Sequence, residues 1–196
     1  MCSLDKAVSL TPAERRERLE KIKAAIICIP DFPTPGVLFR DIFCLFRDPE
    51  LMIYMVTELK QVAQECVSPD MKINAVVGPD ARGFLVGPLL AMHLHCAFVP
   101  ARKAGKLPGE CRSVTYNLEY GTATMEIQKD AIKPNDHVLL IDDVLATGGS
   151  LKACVELIRE SGAFAEAAIA LVELDDLNGR AKLESVQIPV HSLIHY

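Results

Sequence analysis

The stretch from Val138 to Ser150 reads V-L-L-I-D-D-V-L-A-T-G-G-S. Four apolar residues run into two carboxylates, Asp142 and Asp143, and after Val144 and Leu145 into a turn of small residues. An apolar run without alternation is the pattern of a strand buried on both faces. Beyond the turn, Leu151, Val155 and Ile158 recur at helical spacing, which predicts a helix over residues 150–160. Strand, turn and helix in this order form the unit from which parallel sheets are built.

The pattern repeats on either side. Ile73 to Val77, Ala97 to Pro100 and Ala167 to Val172 are further apolar runs, and Phe84 to His93 reads as a helix. Thr122 to Gln128 alternates polar and apolar, as an antiparallel or edge strand does. The whole is an α/β fold with a mainly parallel central sheet flanked by helices, a class that binds ligands at the carboxyl ends of its strands. Upstream, Leu10 to Ile26 is expected to be helical, with Thr11 and Glu14 forming a capping box and Pro12 in the first turn. Pro30, Pro33, Pro35 and Gly36 then predict a stiff extended segment. A second helix starts at Asp48-Pro49, with Met52, Val56, Leu59 and Ala63 on one face. Ala104 to Tyr120 holds Gly105, Pro108, Gly109 and several charges, and is expected to be a loop acting as a lid.

The turn after Asp143 has the chemistry of an anion cradle. Gly148 and Gly149 let backbone N–H groups approach a phosphate, Thr147 and Ser150 add hydroxyl donors, and the helix start adds the positive end of its dipole. It lacks the lysine and glycine spacing of a nucleoside-triphosphate loop. Two carboxylates beside a phosphate would repel it, so they are expected to face a sugar. There they accept from ribose hydroxyls, directly or through Mg2+, and favour positive charge growing at an anomeric carbon.

Bulk properties narrow the field. The 196 residues carry a net charge of −5, are 50% hydrophobic and 24% charged, and suit a packed domain with an appendage. A nucleic-acid binder usually advertises a basic face, which this balance argues against. The seven cysteines are scattered, without a C-x-x-C pair, which argues against a disulfide framework or a zinc site. Met1 to Lys21 has no apolar segment of the signal-peptide kind, and no run is long enough to span a membrane. A reducing cytoplasm is the expected setting.

The Val138–Ser150 string resembles the 5-phosphoribosyl-1-pyrophosphate (PRPP) motif of type I phosphoribosyltransferases, with Ser150 where threonine is commoner. Ile29 to Ile42, I-P-D-F-P-T-P-G-V-L-F-R-D-I, is similar to the purine hood of the adenine-specific branch. R-K-A-G-K-L-P-G at Arg102, L-E-Y-G at Leu118, E-I-Q-K at Glu126, L-V-E-L at Leu171 and G-R-A-K-L at Gly179 are similar to further segments of that branch, in the same order.

The resemblance implies transfer of the 5-phosphoribosyl group from PRPP to adenine, giving AMP and pyrophosphate with Mg2+, by one domain spanning residues 1–196. Its N-terminal helix and hood would reach to about residue 45, its core would run from 46 to 196, and its lid from about 104 to 121. A homodimer is implied as well. By this resemblance Asp142, Asp143, Ala146, Thr147, Gly148, Gly149 and Ser150 hold the ribose and 5-phosphate. Asp80, Ala81, Arg82, Arg102, Lys103 and Lys106 hold pyrophosphate, and a non-proline cis peptide falls at Asp80-Ala81. Leu38, Phe39 and Arg40 read adenine, with a stacking contribution of about 1–3 kcal/mol from an aromatic face. Glu119 manages the proton of the attacking base, Arg82 stabilises the departing charge, and Tyr120 seals the lid. No residue binds the metal directly; Mg2+ comes with PRPP, and Asp142 and Asp143 reach it through water.

Two departures bear on this reading. Pro79 replaces the usual leucine, and Phe43-Cys44 replaces a small residue and proline. Alternatives stay open: a paralogue for 6-oxopurines, or a non-catalytic regulator that senses PRPP. A PRPP synthase is a longer chain with an ATP site, which is not evident here.

Overall fold

The computed structural model describes residues 11–117 and 121–196. The chain forms two compact units, Met1–Glu58 and Leu59–Tyr196.

The first unit opens with α1 (Pro12–Ala25), capped as the sequence predicts. The Glu14 amide donates to Thr11 Oγ1 at 3.3 Å, and the Thr11 amide donates to Glu14 Oε2 at 2.8 Å. The proline-rich segment is not merely extended. β1 (Ile27–Pro30) and β2 (Leu38–Asp41) pair antiparallel, with Ile27 opposite Asp41 and Pro30 opposite Leu38. The chain reverses through Asp31 and Gly36, both at positive φ, and the Gly36 amide donates to Asp31 Oδ1 at 2.8 Å. A 3-10 helix over Phe43–Arg47 follows. α2 (Pro49–Glu65) then starts under Asp48, whose carboxylate accepts from the Glu50 and Leu51 amides. Its Met55, Val56, Leu59, Val62 and Ala63 are buried.

In the second unit a seven-stranded sheet takes the order β5-β6-β4-β3-β7-β8-β9. Its strands are β3 (Ala75–Pro79), β4 (Ala97–Lys103), β5 (Cys111–Asn117), β6 (Thr122–Gln128), β7 (His137–Leu145), β8 (Phe164–Glu173) and β9 (Val190–His195). Those from β4 to β9 in that order run parallel, while β6 pairs antiparallel with β4 and β5. Helices α3 (Gly83–Leu94), α4 (Gly149–Glu160) and α5 (Gly179–Glu184) connect them. Val77, Leu140, Leu151, Leu157 and Ala168 lie in the resulting apolar core.

One expectation is corrected. Within the segment expected to be a loop over 104–121, residues 111–117 form a strand, because they pair along the full length of β6. In β5 Val114 is buried and Tyr116 half-buried, while Ser113 and Thr115 are exposed, the alternation of a sheet-edge strand. β6 therefore lies one strand in from the edge.

Candidate active site

β3 has β4 on one side and β7 on the other, so strand order reverses there. Open α/β sheets place their ligand crevice outside the carboxyl ends at such a point. Two loops meet at this place. One follows β7 and runs over Ala146–Gly148 into α4. The other follows β3 and runs over Asp80–Arg82 into α3.

Asp142 and Asp143 lie near the carboxyl end of β7. Asp142 is half-buried and Asp143 only 1% exposed. The Asp143 amide donates to Asp142 Oδ1 at 2.9 Å. Gly148 then takes φ 72° and serves as the N-cap of α4 with no side-chain cap. The first-turn amides of α4 have no intrahelical acceptor, and the helix dipole favours negative charge beside them. Ala146, Thr147, Gly149 and Ser150 are half-buried around that turn. Neutral donors converging at a helix start are suited to a phosphate dianion.

In the opposite loop the Asp80-Ala81 peptide is cis, as the family resemblance implies. The ends of the loop close on each other: a Cβ on Gly83 would lie 2.9 Å from Pro79 Cδ and 3.2 Å from the Gly78 carbonyl carbon. Pro79 is tolerated because it is the last residue of β3, past the end of pairing with β7 at Val77. The loop delivers Arg82, whose Nε lies 2.8 Å from Asp143 Oδ2, tying the loop to β7. That oxygen is itself shut off from water.

β4 supplies the third part. Arg102 Nε pairs with Asp80 Oδ2 at 2.9 Å, and its Nη1 donates to the Lys106 carbonyl at 3.1 Å. Lys103, the last residue of β4, and Lys106, in the turn that follows, are exposed. That turn is held by Glu126 of β6, whose Oε2 accepts from the Gly105 amide at 2.9 Å. Residue type and spacing do not reveal this role of Glu126, because it acts on a backbone amide twenty-one residues away.

Burial sets the electrostatics. Desolvation, reinforced by the neighbouring Asp143 charge, pushes the Asp142 carboxyl well above the ordinary aspartate range. Desolvation also raises Asp143, and the Arg82 guanidinium opposes that rise. Carboxylate oxygens at such a place fit sugar hydroxyls, or a hard cation reached through water.

In the first unit, Leu38, Phe39 and Arg40 form most of β2. Leu38 is 47% exposed, and Phe39 meets Phe32 edge-on, with ring centroids 5.1 Å apart. Arg40 donates to the Cys28 sulfur. Phe43 is exposed, and the Cys44 thiol donates to the Asp41 carbonyl at 3.1 Å. Glu119 and Tyr120, assigned from sequence to proton handling and closure, lie outside the described residues.

The uncapped start of α4, the Asp142–Asp143 pair and the Arg82 loop thus lie at one switch point, where open α/β sheets bind their ligands. Comparison with known proteins agrees. A family model described as "Phosphoribosyl transferase domain" matches residues 54–189. The adenine phosphoribosyltransferase of Nitrosococcus oceani is 47% identical over 91% of this chain and 100% of its own length. Among solved structures, adenine phosphoribosyltransferase from Saccharomyces cerevisiae, complexed with D-2,5-dideoxy-2,5-imino-altritol 1,6-bisphosphate and adenine, is similar with a TM-score of 0.86. It is 43% identical, over 91% of this chain and 99% of that one. The Trypanosoma brucei enzyme, complexed with AMP, pyrophosphate and ribose-5-phosphate, gives a TM-score of 0.79 at 25% identity, over 95% of this chain and 81% of that one. The chain belongs to the phosphoribosyltransferases and, within them, to the adenine phosphoribosyltransferase family.

Proposed function

We propose that this chain transfers the 5-phosphoribosyl group of PRPP to adenine, releasing AMP and pyrophosphate, as an enzyme of purine salvage. The observation that carries the reading is the Arg82–Asp143 bridge beside the uncapped start of α4. It supports reading a phosphate site, a sugar site and a leaving-group site around one crevice. The yeast and trypanosome relatives, solved with adenine and with AMP and pyrophosphate, supply the matching ligands.

In this reading the amides and hydroxyls of Ala146–Ser150 take the 5-phosphate. Asp142 and Asp143 accept from the ribose hydroxyls. The bond from the anomeric carbon to pyrophosphate breaks as N9 of adenine forms its bond there, and the paired carboxylates favour the positive charge that grows on the sugar. Asp80, Ala81, Arg82, Arg102, Lys103 and Lys106 receive the departing pyrophosphate, with the guanidiniums matching its oxygens two at a time. Mg2+ bound with PRPP would neutralise pyrophosphate charge, held near Asp142 and Asp143 through water. Leu38, Phe39 and Arg40 read the base. Glu119 takes up the adenine proton, and Tyr120 helps exclude water. Positioning and charge carry the rate, since no step needs a covalent enzyme intermediate.

The reading extends to a homodimer working in the cytoplasm. The described cysteines are all free, and among the described residues no helix is long and apolar enough to cross a membrane.

Incubation with PRPP, Mg2+ and adenine, hypoxanthine, guanine or xanthine in turn tests the proposal. AMP formed from adenine, with little nucleotide from the others, is the expected result. Preference for a 6-oxopurine would reassign the substrate, and tight PRPP binding with no nucleotide formed would mark a sensor rather than an enzyme.

A further inference from the structure

The G-R-A-K-L segment at Gly179–Leu183 has no part in the chemistry above, yet the fold brings its first residue against the phosphate turn. A Cβ on Gly179 would lie 2.2 Å from the Ala146 carbonyl oxygen and 2.8 Å from Leu145 Cδ1. The contact is reciprocal, since a Cβ on Gly148 would lie 2.8 Å from the Gly179 carbonyl oxygen. Here two backbones touch with no room for a side chain on either, and the Ala146–Gly148 turn rests directly on the first turn of α5.

That support is itself fastened to the sheet. Arg180, next in sequence, grips the buried Glu173 at the end of β8 with two bonds, Nε to Oε1 at 2.9 Å and Nη2 to Oε2 at 2.6 Å. Its Nη1 donates to the Val190 carbonyl of β9 at 2.6 Å. The Leu174 amide, following Glu173, donates to the Leu145 carbonyl at 3.0 Å, just before the turn. A planar guanidinium fork fixes direction as well as distance, which an ammonium does not. The chain Leu145–Leu174–Glu173–Arg180–Gly179–Ala146 is closed, and the phosphate turn is one segment of it.

We propose that Gly179, held by the Arg180–Glu173 pair, is a positioning residue that sets the Ala146–Ser150 turn for the 5-phosphate of PRPP. The proposal rests on the reading that this turn takes that phosphate. Gly179 meets no substrate; it acts through the backbone it touches. A methyl group there must displace either the turn or α5, and a displacement of about 1 Å in a positioning element costs about a hundredfold in rate.

The test compares Gly179→Ala, Arg180→Lys and the exposed neighbour Lys182→Ala with the unaltered enzyme. The readouts are KM for PRPP, KM for adenine, kcat, ribose 5-phosphate affinity and the thermal midpoint. Expected for Gly179→Ala is a rise of at least about tenfold in KM for PRPP, matched by weaker ribose 5-phosphate binding, with KM for adenine within about twofold. Arg180→Lys should move the same constants less, and Lys182→Ala should move none. If Gly179→Ala does not fold, Arg180→Lys decides. Folded variants that lose thermal stability while keeping the PRPP and ribose 5-phosphate constants would overturn the proposal. An unaltered protein that makes AMP but binds no ribose 5-phosphate would instead overturn the cradle reading, and this inference with it.

Discussion

In the function proposed above, the two loops at the switch point hold anions by opposite means. Around Ala146–Ser150 the donors are neutral amides and hydroxyls, backed by another stretch of backbone, with the N-terminal amides of α4 awaiting an acceptor. Around Asp80–Arg82 the donors are guanidiniums already paired to carboxylates, Arg82 to Asp143 and Arg102 to Asp80. The first loop can receive a phosphate without breaking an ion pair. In the same proposal the second exchanges one carboxylate partner for pyrophosphate oxygens. On that reading, a phosphate that stays bound through the reaction sits on preset dipoles, and a group that has to leave sits on cations with a partner waiting. The carboxylates keep those guanidiniums aligned until the charge on the leaving group develops, when a charge-assisted bond strengthens most.

Removing one side of the exchange should have the largest effect. Arg82→Ala is expected to lower kcat/KM by about a hundredfold to a thousandfold, the range for losing one donor to a developing charge. Ribose 5-phosphate, which has no pyrophosphate, should bind this variant almost as it binds the unaltered protein. An equal loss of ribose 5-phosphate affinity, read by calorimetry, would mean that the two loops are not separate anion sites.

A smaller effect, of opposite sign, is expected in stability. Burial raises the folded-state carboxyl of Asp142 above the ordinary value of 3.8. Between that value and the raised one the folded protein holds a proton that the unfolded chain has lost, so stability falls as pH rises through the window and the loss persists above it. Asp142→Asn removes the charge, so at neutral pH it should raise the thermal midpoint of the ligand-free protein by roughly 2–4 °C while lowering activity. Thermal melts of both proteins across pH test this. The gap should close at low pH, and a midpoint lowered at neutral pH would contradict it.

The contrast also explains what the sequence disclosed. The phosphate turn and the Gly78–Gly83 loop are each one contiguous string, so residue types and spacing reveal the chemistry. The β1–β2 hairpin was hidden because Pro30, Pro33 and Pro35 read as breakers, whereas the reversal depends on Asp31 and Gly36 at positive φ. β5 was hidden by the glycines, proline and charges at 104–110, which mask the alternation beginning at Cys111. The supports of the site, Glu126 for the Gly105 amide and Gly179 for Ala146, are invisible in sequence because each acts on the backbone of a distant segment. Local motifs announce what touches a ligand, while the groups that aim those motifs are set by topology.

The most direct test follows the amides themselves. In 1H–15N spectra, titration with ribose 5-phosphate should shift and saturate the resonances of Thr147, Gly148, Gly149 and Ser150 together, leaving those of Asp80 to Arg82 nearly in place until pyrophosphate is added. Resonances of the 147–150 turn that stay still, in protein that makes AMP from adenine and PRPP, would contradict the account.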